Sequence, residues 1–165
     1  MNTLNKNANL ASTEPASFCV NLCPISALSD LDILARTIYG EARGEFQSFG
    51  LASLIGVGNV VANRVKSGGW FGQKISEVCL KPKQFSCWNP DDANSTIIKQ
   101  TPEQLERHPV FGACEEVALH IIRGDWPDLT KGANHYYSSL IKTPPLWSKG
   151  RECIVKIGHH LFFKI

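Results

Sequence analysis

An amphipathic segment that begins at residue 29 constrains the fold more than any other part of the chain. Ser29 and Asp32 form a capping-box pattern, and acidic residues in a first turn stabilise a helix through its dipole. Apolar side chains then recur at the i, i+3, i+4 and i+7 spacing of one helical face: Leu31, Leu34, Ala35 and Ile38. Gly40 weakens helix propensity, and Gly44 is expected to cap the C-terminus. The pattern predicts a helix with one buried face that ends near residue 44.

A second helix is predicted from about Phe49 to Val65. Its apolar residues lie along one side: Leu51, Leu54, Ile55, Val61, Ala62 and Val65. The same segment also carries four small residues: Ala52, Ser53, Gly56 and Gly58. Small residues lower helix propensity, but they allow another backbone to approach closely. We therefore expect a buried helix that packs tightly against the first.

The remaining sequence predicts short helices followed by a small β portion. A loop without periodicity, "KPKQFSCWNPDDANS" (81–95), precedes a helix with Thr101 at its N-cap. Pro109 interrupts that helix, and the next one ends at Gly124. Two later segments have β-like patterns: "ANHYYSSL" (133–140) and "ECIVKIGHHLFFKI" (152–165). This order of elements predicts a single α+β domain, mainly helical, with a small antiparallel β portion near the C-terminus.

Length and charge bound the function classes that need consideration. With 165 residues, the chain is long enough to bury the core of one domain. We expect a polar N-terminal arm over residues 1–27 and a folded domain over residues 28–165. A net charge of +2 is too small to argue for nucleic acid as a partner. No stretch approaches the roughly 18 unbroken apolar residues of a membrane helix, so none is expected.

The N-terminal segment lacks the basic start and apolar run of a secretory signal. Its best apolar candidate, "FCVNLCPISAL" (18–28), is interrupted by Asn21 and Pro24. We therefore expect the chain to be made in the cytoplasm without a cleaved signal.

Six cysteines are present, and none has the close C-x-x-C spacing of a zinc site. Because no export signal is evident, reduced thiols are the expectation. Cys79 and Cys87 flank a loop and are the first pair to test for a disulfide. Cys114 lies among apolar residues of a predicted helix and is expected to be a small core residue. No metal and no cofactor is expected.

Glu41 and Glu45 are the acidic residues of "TIYGEARGE" (37–45). If the first helix extends to Glu41, that side chain lies on the flank of the apolar face and loses hydration. Its pKa is then expected to rise, as a general acid near neutral pH requires. The alternative is a solvated ion pair with Arg36 or Arg43. If Glu45 is also helical, it lies on the same face and the two glutamates share a site.

Aromatic residues stand beside hydrogen-bonding residues in four loop segments: "QFSCWNPDD", "GDWPDLT", "HYYSS" and "PPLW". Such combinations suit sugars, which have apolar ring faces and hydroxyl edges. The alternative is that Trp88, Trp126 and Trp147 are core or loop anchors. Among the histidines, His135 and the pair at 159–160 are better site candidates than the helical ones.

The ordered series "LARTIYGEARGE", "NVVANRV", "QFSCW", "GDWPDLTKGANHYY", "PPLW" and "KIGHHLFF" resembles the SleB/CwlJ-like cell-wall hydrolase family. The resemblance covers Leu31 to the C-terminus. It implies a lysozyme-like catalytic domain that cleaves the bond between N-acetylmuramic acid (MurNAc) and N-acetylglucosamine (GlcNAc) in peptidoglycan. It further implies a lytic transglycosylase in which Glu41 is the single acid/base and the products carry 1,6-anhydro-MurNAc ends.

The resemblance also suggests residues that orient Glu41 or bind sugar: Glu45, Gln84, Phe85, His135, Tyr136, Tyr137 and Trp147. A hydrolytic muramidase would instead need a second carboxylate across the cleft. Its candidates are Glu45, Asp91, Asp92, Asp125 and Asp128. An amidase and a non-catalytic glycan-binding module remain alternative functions.

Spore members of the resembled family are usually exported and often carry a separate wall-binding domain, whereas for this chain we expect neither an export signal nor such a domain. A wall-cleaving enzyme made without export resembles a phage endolysin. The expected partners are therefore peptidoglycan glycan strands and a holin-type release protein, with action on the wall after release. The chain is expected to be a monomer.

Overall fold

The computed structural model describes residues 22–165, in which helices precede a small sheet. The helices are α1 (Asp30–Phe49), α2 (Leu51–Ser67), α3 (Ile75–Cys79), α4 (Ser95–Ile98), α5 (Pro102–Leu105) and α6 (Phe111–Arg123). The strands are β1 (His135–Ser138), β2 (Val155–Ile157) and β3 (His160–Phe163). They form an antiparallel sheet in the order β1-β3-β2. The expectation of a mainly helical α+β domain with a small C-terminal sheet is confirmed.

The first helix starts as predicted but runs further. The Ser29 side chain accepts a hydrogen bond from the Asp32 backbone N–H, which completes the capping box. The expected end at Gly44 is wrong, because α1 continues to Phe49 and ends at Gly50, whose φ is 62°. Contacts made after Gly44 hold this extra turn in place, since Phe46 packs against the core.

Close packing around α2 accounts for its glycines. A side chain at Gly58 would place its Cβ 3.0 Å from Ile121 of α6, and one at Gly56 would place it 2.8 Å from Phe162 of β3. The second helix therefore lies against α1, α6 and the sheet, as its small residues predict. The largest buried side chains include Leu34, Ile38, Leu54, Val57, Val61 and Phe162.

The buried cysteines of the described region are free thiols. Cys79, Cys87 and Cys114 are all fully buried, and the disulfide between Cys79 and Cys87 is not formed. Burial raises the pKa of Cys79 and of Cys114 to about 12, so both thiols stay protonated near neutral pH. Cys114 is a small core residue, as its apolar surroundings predict.

Part of the predicted arm, residues 1–21, lies outside the described residues. Leu22 forms an isolated bridge with Gln100, and the Cys23 N–H donates to the Lys99 carbonyl at 2.8 Å. The end of the arm is thus anchored beside α4. Over residues 22–165, no helix has both the length and the apolar character needed to cross a bilayer.

Candidate active site

Glu41 lies in the fourth turn of α1 and is held by two hydrogen-bond donors. The Cys87 backbone N–H donates to Oε1 at 3.2 Å, and the Tyr136 hydroxyl donates to Oε2 at 2.9 Å. Both donors are uncharged, and each comes from a different part of the chain. The carboxyl group is therefore fixed in orientation without an ion pair to a cation in the described region.

Gly40 lets the first of these donors reach Glu41. A Cβ at Gly40 would lie 2.6 Å from Cβ and 2.9 Å from Sγ of Cys87, which is closer than packed atoms can come. The turn over Ser86–Trp88 therefore sits directly on the backbone of α1. The Trp88 indole N–H donates to Thr37 Oγ1 at 2.9 Å and anchors the same turn one helical turn earlier.

The sheet supplies the second donor. Tyr136 pairs with Phe162 across β1 and β3, and Phe162 is fully buried against α2. Burial of the Tyr136 hydroxyl, with the neighbouring charge of Glu41, raises its pKa well above 10. The hydroxyl therefore stays protonated and remains a hydrogen-bond donor across the physiological range.

A cavity of about 450 Å³ opens beside Glu41. We call it the Glu41 cleft, and its polar lining includes Arg64, Lys83, Gln84, Ser86, Asn94, Tyr136, Tyr137, Ser138 and His160. Glu41 is the one carboxylate among the described residues that line it. The arrangement places a single carboxyl group, hydrogen-bonded on both oxygens, at the wall of a polar cleft that has room for a sugar.

A family model described as Cell Wall Hydrolase matches residues 51–163. The chain belongs to this family. The match includes α2 and the sheet, which bring Arg64 and Tyr136 to the cleft.

Two solved structures of SleB catalytic domains are also similar to this chain. The catalytic domain of the Bacillus cereus SleB protein is 27% identical, with a TM-score of 0.60 over 82% of this chain and 89% of that one. The catalytic domain of a germination-specific lytic transglycosylase SleB from Bacillus anthracis is 26% identical, with the same TM-score over 86% of this chain and all of that one. These likenesses confirm the lysozyme-like fold class.

A spore cortex-lytic enzyme of Bacillus subtilis is also similar, at 31% identity over 134 residues. That alignment covers 81% of this chain and 37% of the relative. The chain thus spans less than half the length of the cortex-lytic enzymes it matches.

The structure brings several of the predicted supporting residues together. Tyr136 contacts Glu41 directly, while Gln84 and Tyr137 line the same cleft. His135 and Trp147 line an adjoining cavity, with their rings 5.0 Å apart. Phe85, by contrast, is 2% exposed and belongs to the core.

Glu45 is helical and follows Glu41 by one turn, but it lies outside the cleft lining. It accepts hydrogen bonds from the backbone N–H of His159 at 2.9 Å and from ring Nδ1 at 3.0 Å. Partial burial alone would raise its pKa, but these two bonds and the nearby His160 bring the pKa below its usual value. Glu45 is therefore bound by the His159 loop between two strands of the sheet and does not line the cleft with Glu41.

The other second-carboxylate candidates also lie away from the cleft lining. Asp92 accepts from the Asn94 backbone, and Asp125 pairs with His120 at 3.0 Å. Asp128 accepts from Thr130, Gly132 and Asn63 and so closes a turn of the chain. Asp91 is exposed.

The ion-pair alternative for Glu41 is not observed. Arg36 is buried and donates to the carbonyl oxygens of Ile98 and Gln100 at 2.6 and 2.7 Å. Arg43 donates to the side chain of Asn94. Both arginines thus hold the segment around α4 against α1.

The aromatic loops divide between the two predicted roles. Trp88 and Trp126 pack against the core, as the anchor alternative expects. Trp147 and the exposed Trp70 line the adjoining cavity, where ring faces are available to a ligand. His160 lines the Glu41 cleft, while His159 is bound to Glu45.

Sequence reasoning missed Arg64, a buried arginine that borders both cavities. The helical spacing indicates that Arg64 is buried, because the residue follows Val57 and Val61 at the period of the buried face of α2. A charged residue on a buried stripe requires partners, so its surroundings are worth inspection for a site.

Proposed function

We propose that the chain cleaves the MurNAc–GlcNAc glycosidic bond of bacterial peptidoglycan as a lytic transglycosylase, with Glu41 as the general acid and base. One observation carries the proposal: Glu41 faces the cleft with both oxygens hydrogen-bonded and is the one carboxylate in its described lining. Membership of the cell wall hydrolase family supports the substrate. The likeness to a SleB catalytic domain described as a lytic transglycosylase supports the reaction type.

In the first step, the protonated Glu41 gives its proton to the oxygen that links MurNAc C1 to GlcNAc. The C1–O bond breaks, and the GlcNAc portion leaves with a free hydroxyl group. The Glu41 carboxylate then takes the proton of the MurNAc 6-hydroxyl as that oxygen bonds to C1. The proton removed equals the proton given, no water is consumed, and the product end is 1,6-anhydro-MurNAc.

Tyr136 and Cys87 position the carboxyl group during both steps. Their two donors approach different oxygens of Glu41, so the side chain cannot rotate away from the cleft without breaking a hydrogen bond. A single carboxylate suffices for this reaction, whereas an inverting or retaining hydrolysis requires a second one.

The site of action follows from the substrate. The domain acts on the cell wall, and its partners are glycan strands. Release through a holin-type protein and a monomeric state stay predictions from the sequence.

Glu41→Gln tests the assignment, because it keeps the shape and removes the acid. Solubilisation of purified peptidoglycan should fall by about 10²–10⁴-fold, the range for loss of general acid–base catalysis. Glu116→Gln, on the exposed surface of α6, is the matched control and should retain full activity. A folded Glu41→Gln protein that solubilises the wall at the wild-type rate would refute the assignment.

Mass analysis of the wild-type products separates the competing reactions. Anhydro-muropeptides support the transglycosylase. Reducing MurNAc ends would mean a hydrolytic muramidase, and free peptides would mean an amidase. Binding without any product would leave a glycan-binding module.

A further inference from the structure

A second cavity, of about 280 Å³, adjoins the Glu41 cleft. We call it the basic cavity; Arg64, Lys83 and Gln84 border both spaces, and Trp70 and Trp147 form its aromatic walls. The basic cavity therefore lies next to a ligand bound at Glu41, with these shared side chains at the boundary. The proposed reaction uses none of these five residues.

Arg64 carries an unused hydrogen-bonding group at this position. The residue is 6% exposed, and its Nε donates to the Asn134 carbonyl at 2.8 Å. Its guanidinium lies over the rings of Phe85 and Phe71, at 4.9 and 5.5 Å from their centroids. Nη1, however, is buried and has no partner among the described residues. A buried charged donor without a partner is costly, so the site favours an anionic acceptor.

The charged side chains that line the basic cavity, Arg64 and Lys83, are both cationic. Lys83 borders it from a loop where its φ is 65°, a left-handed conformation that non-glycine residues rarely adopt. Lys81 lies over the Trp70 ring at 4.3 Å, and Arg151 donates to the Trp147 carbonyl. No acidic side chain occurs among the described residues that line the cavity.

The pKa of His135 responds to burial and to the same positive charges. Burial, together with the charges of Arg64 and Arg151, lowers its pKa to about 4. It is therefore neutral near pH 7 and leaves the anion to the lysine and arginine side chains.

Gln84 provides the complementary acceptor. Its Oε1 is buried and has no hydrogen-bond partner among the described residues. The lining that the two cavities share thus contains a nitrogen of Arg64 and an oxygen of Gln84 that are buried and have no hydrogen-bond partner among the described residues. A ligand that carries a carboxylate close to an amide N–H would satisfy both.

MurNAc has this combination on adjacent ring carbons, since C2 bears an acetamido N–H and C3 bears a lactyl group. We propose that the basic cavity binds the acidic C3 substituent of MurNAc through Arg64 and Lys83, while Gln84 accepts the acetamido N–H. This assignment rests on the proposed function, because it places MurNAc next to Glu41. It makes the basic cavity the part of the site that separates peptidoglycan from chitin, whose sugars carry no carboxylate.

The carboxylate has two possible sources. In an unsubstituted strand it is the lactyl carboxylate itself. In a peptide-bearing strand the lactyl group is an amide, and the carboxylates belong to the peptide. Both sources present the same chemistry to Arg64 and Lys83.

Calorimetric binding to the Glu41→Gln protein tests the proposal without turnover. The probes are three tetrasaccharides: alternating GlcNAc–MurNAc without peptide, the same glycan with peptide, and chitotetraose. We expect at least one acidic probe to bind tenfold or more tightly than chitotetraose at low salt, with the preference falling as salt rises. A preference shared by the peptide-free probe assigns the lactyl carboxylate, and one limited to the peptide-bearing probe assigns the peptide.

Lys83→Gln, added to Glu41→Gln, should reduce that preference several-fold. Lys66→Gln is the matched control, because this exposed lysine of α2 borders a separate apolar groove. Arg64→Lys keeps the charge but removes the forked donor, and it should also lower the preference in a protein whose thermal unfolding is checked. Equal affinity for acidic and uncharged probes, or equal effects of Lys83→Gln and Lys66→Gln, would overturn the proposal.

The outcome separates the two proposals. If wild-type protein cleaves peptidoglycan but binding shows no preference for acidic glycans, only the inference about the basic cavity fails. If wild-type protein cleaves no glycan strand, the proposed function fails, whatever the binding data show.

Discussion

Glu41 and Glu45 lie one turn apart on the same helix, yet their surroundings give them different roles. Glu41 has two neutral donors and faces a cleft, whereas Glu45 is tied to the backbone and ring of His159 with its side chain 15% exposed. Helical spacing puts both on one flank of α1. What separates them is the loop at Gly158, where a Cβ would lie 2.5 Å from the Glu45 carboxylate. Tertiary partners, and not helical spacing, thus decide which carboxylate stays available.

Tyr136→Phe changes the surroundings of Glu41 and should have the largest effect of the variants below. It removes one of the two donors, and a hydrogen bond to a charged group is worth about 1.5–3 kcal/mol. We expect kcat on peptidoglycan to fall about 10- to 100-fold by the same principle. Tyr39→Phe is a suitable control, because the Tyr39 ring packs against Phe111 and His108 in the core. Equal rates for Tyr136→Phe and wild type would show that the hydroxyl does not position Glu41.

Gly40→Ala and Gly44→Ala add the same methyl group to α1 on either side of Glu41, once against Cys87 and once in open space. The first would force a Cβ to 2.6 Å from Cys87 and should cost about 1–3 kcal/mol of unfolding free energy, with loss of activity as the turn shifts. The second meets nothing within 4 Å and should stabilise the helix by about 0.5–1 kcal/mol. Urea unfolding of both variants measures the difference. Similar stabilities would contradict the close approach of the turn over Ser86–Trp88.

Glu45→Gln probes the other glutamate and should affect stability more than rate. Loss of its charged hydrogen bonds to His159 should lower the unfolding free energy by about 1–2 kcal/mol, while the wall-cleavage rate stays within a few-fold of wild type. Because the folded-state pKa of Glu45 is lowered, its contribution is present above its ordinary pKa and is lost as the pH falls through the lowered one. The difference between wild type and variant should therefore shrink on acidification below about pH 4.5. A large loss of activity with unchanged stability would make Glu45 part of the catalytic machinery.

Local patterns predicted the helical flank on which Glu41 lies, because the spacing of Leu34 and Ile38 fixes that face. They could not predict that Glu45 accepts hydrogen bonds from His159, because that residue lies 114 positions away in sequence. The predicted end of α1 at Gly44 was wrong for the same reason, because tertiary contacts made after Gly44 stabilise the last turn. Tyr136 was a candidate from the family resemblance, but its contact with Glu41 spans 95 residues and needed the fold.

The smallest expected effect is on the pH dependence of stability. It comes from two histidines of the sheet, His135 and His160. The pKa of His135 is lowered to about 4, so its ring is neutral in the folded state at pH 5–6, and burial likewise lowers the pKa of His160. In the unfolded chain a histidine has its ordinary pKa of about 6.5 and binds a proton there. Between pH 6.5 and 4 the unfolded state thus holds more protons, and stability should fall as the pH is lowered.

His135→Gln removes one of these two contributions. Its unfolding free energy should depend less steeply on pH over that window than that of wild type, by urea titrations at several pH values. His108→Gln is the control, because the His108 ring contacts Gln100 and Tyr39 on the other side of α1. If His135→Gln and wild type gave parallel curves, His135 would titrate equally in both states. Burial and the charges of Arg64 and Arg151 would then be too weak to hold His135 neutral.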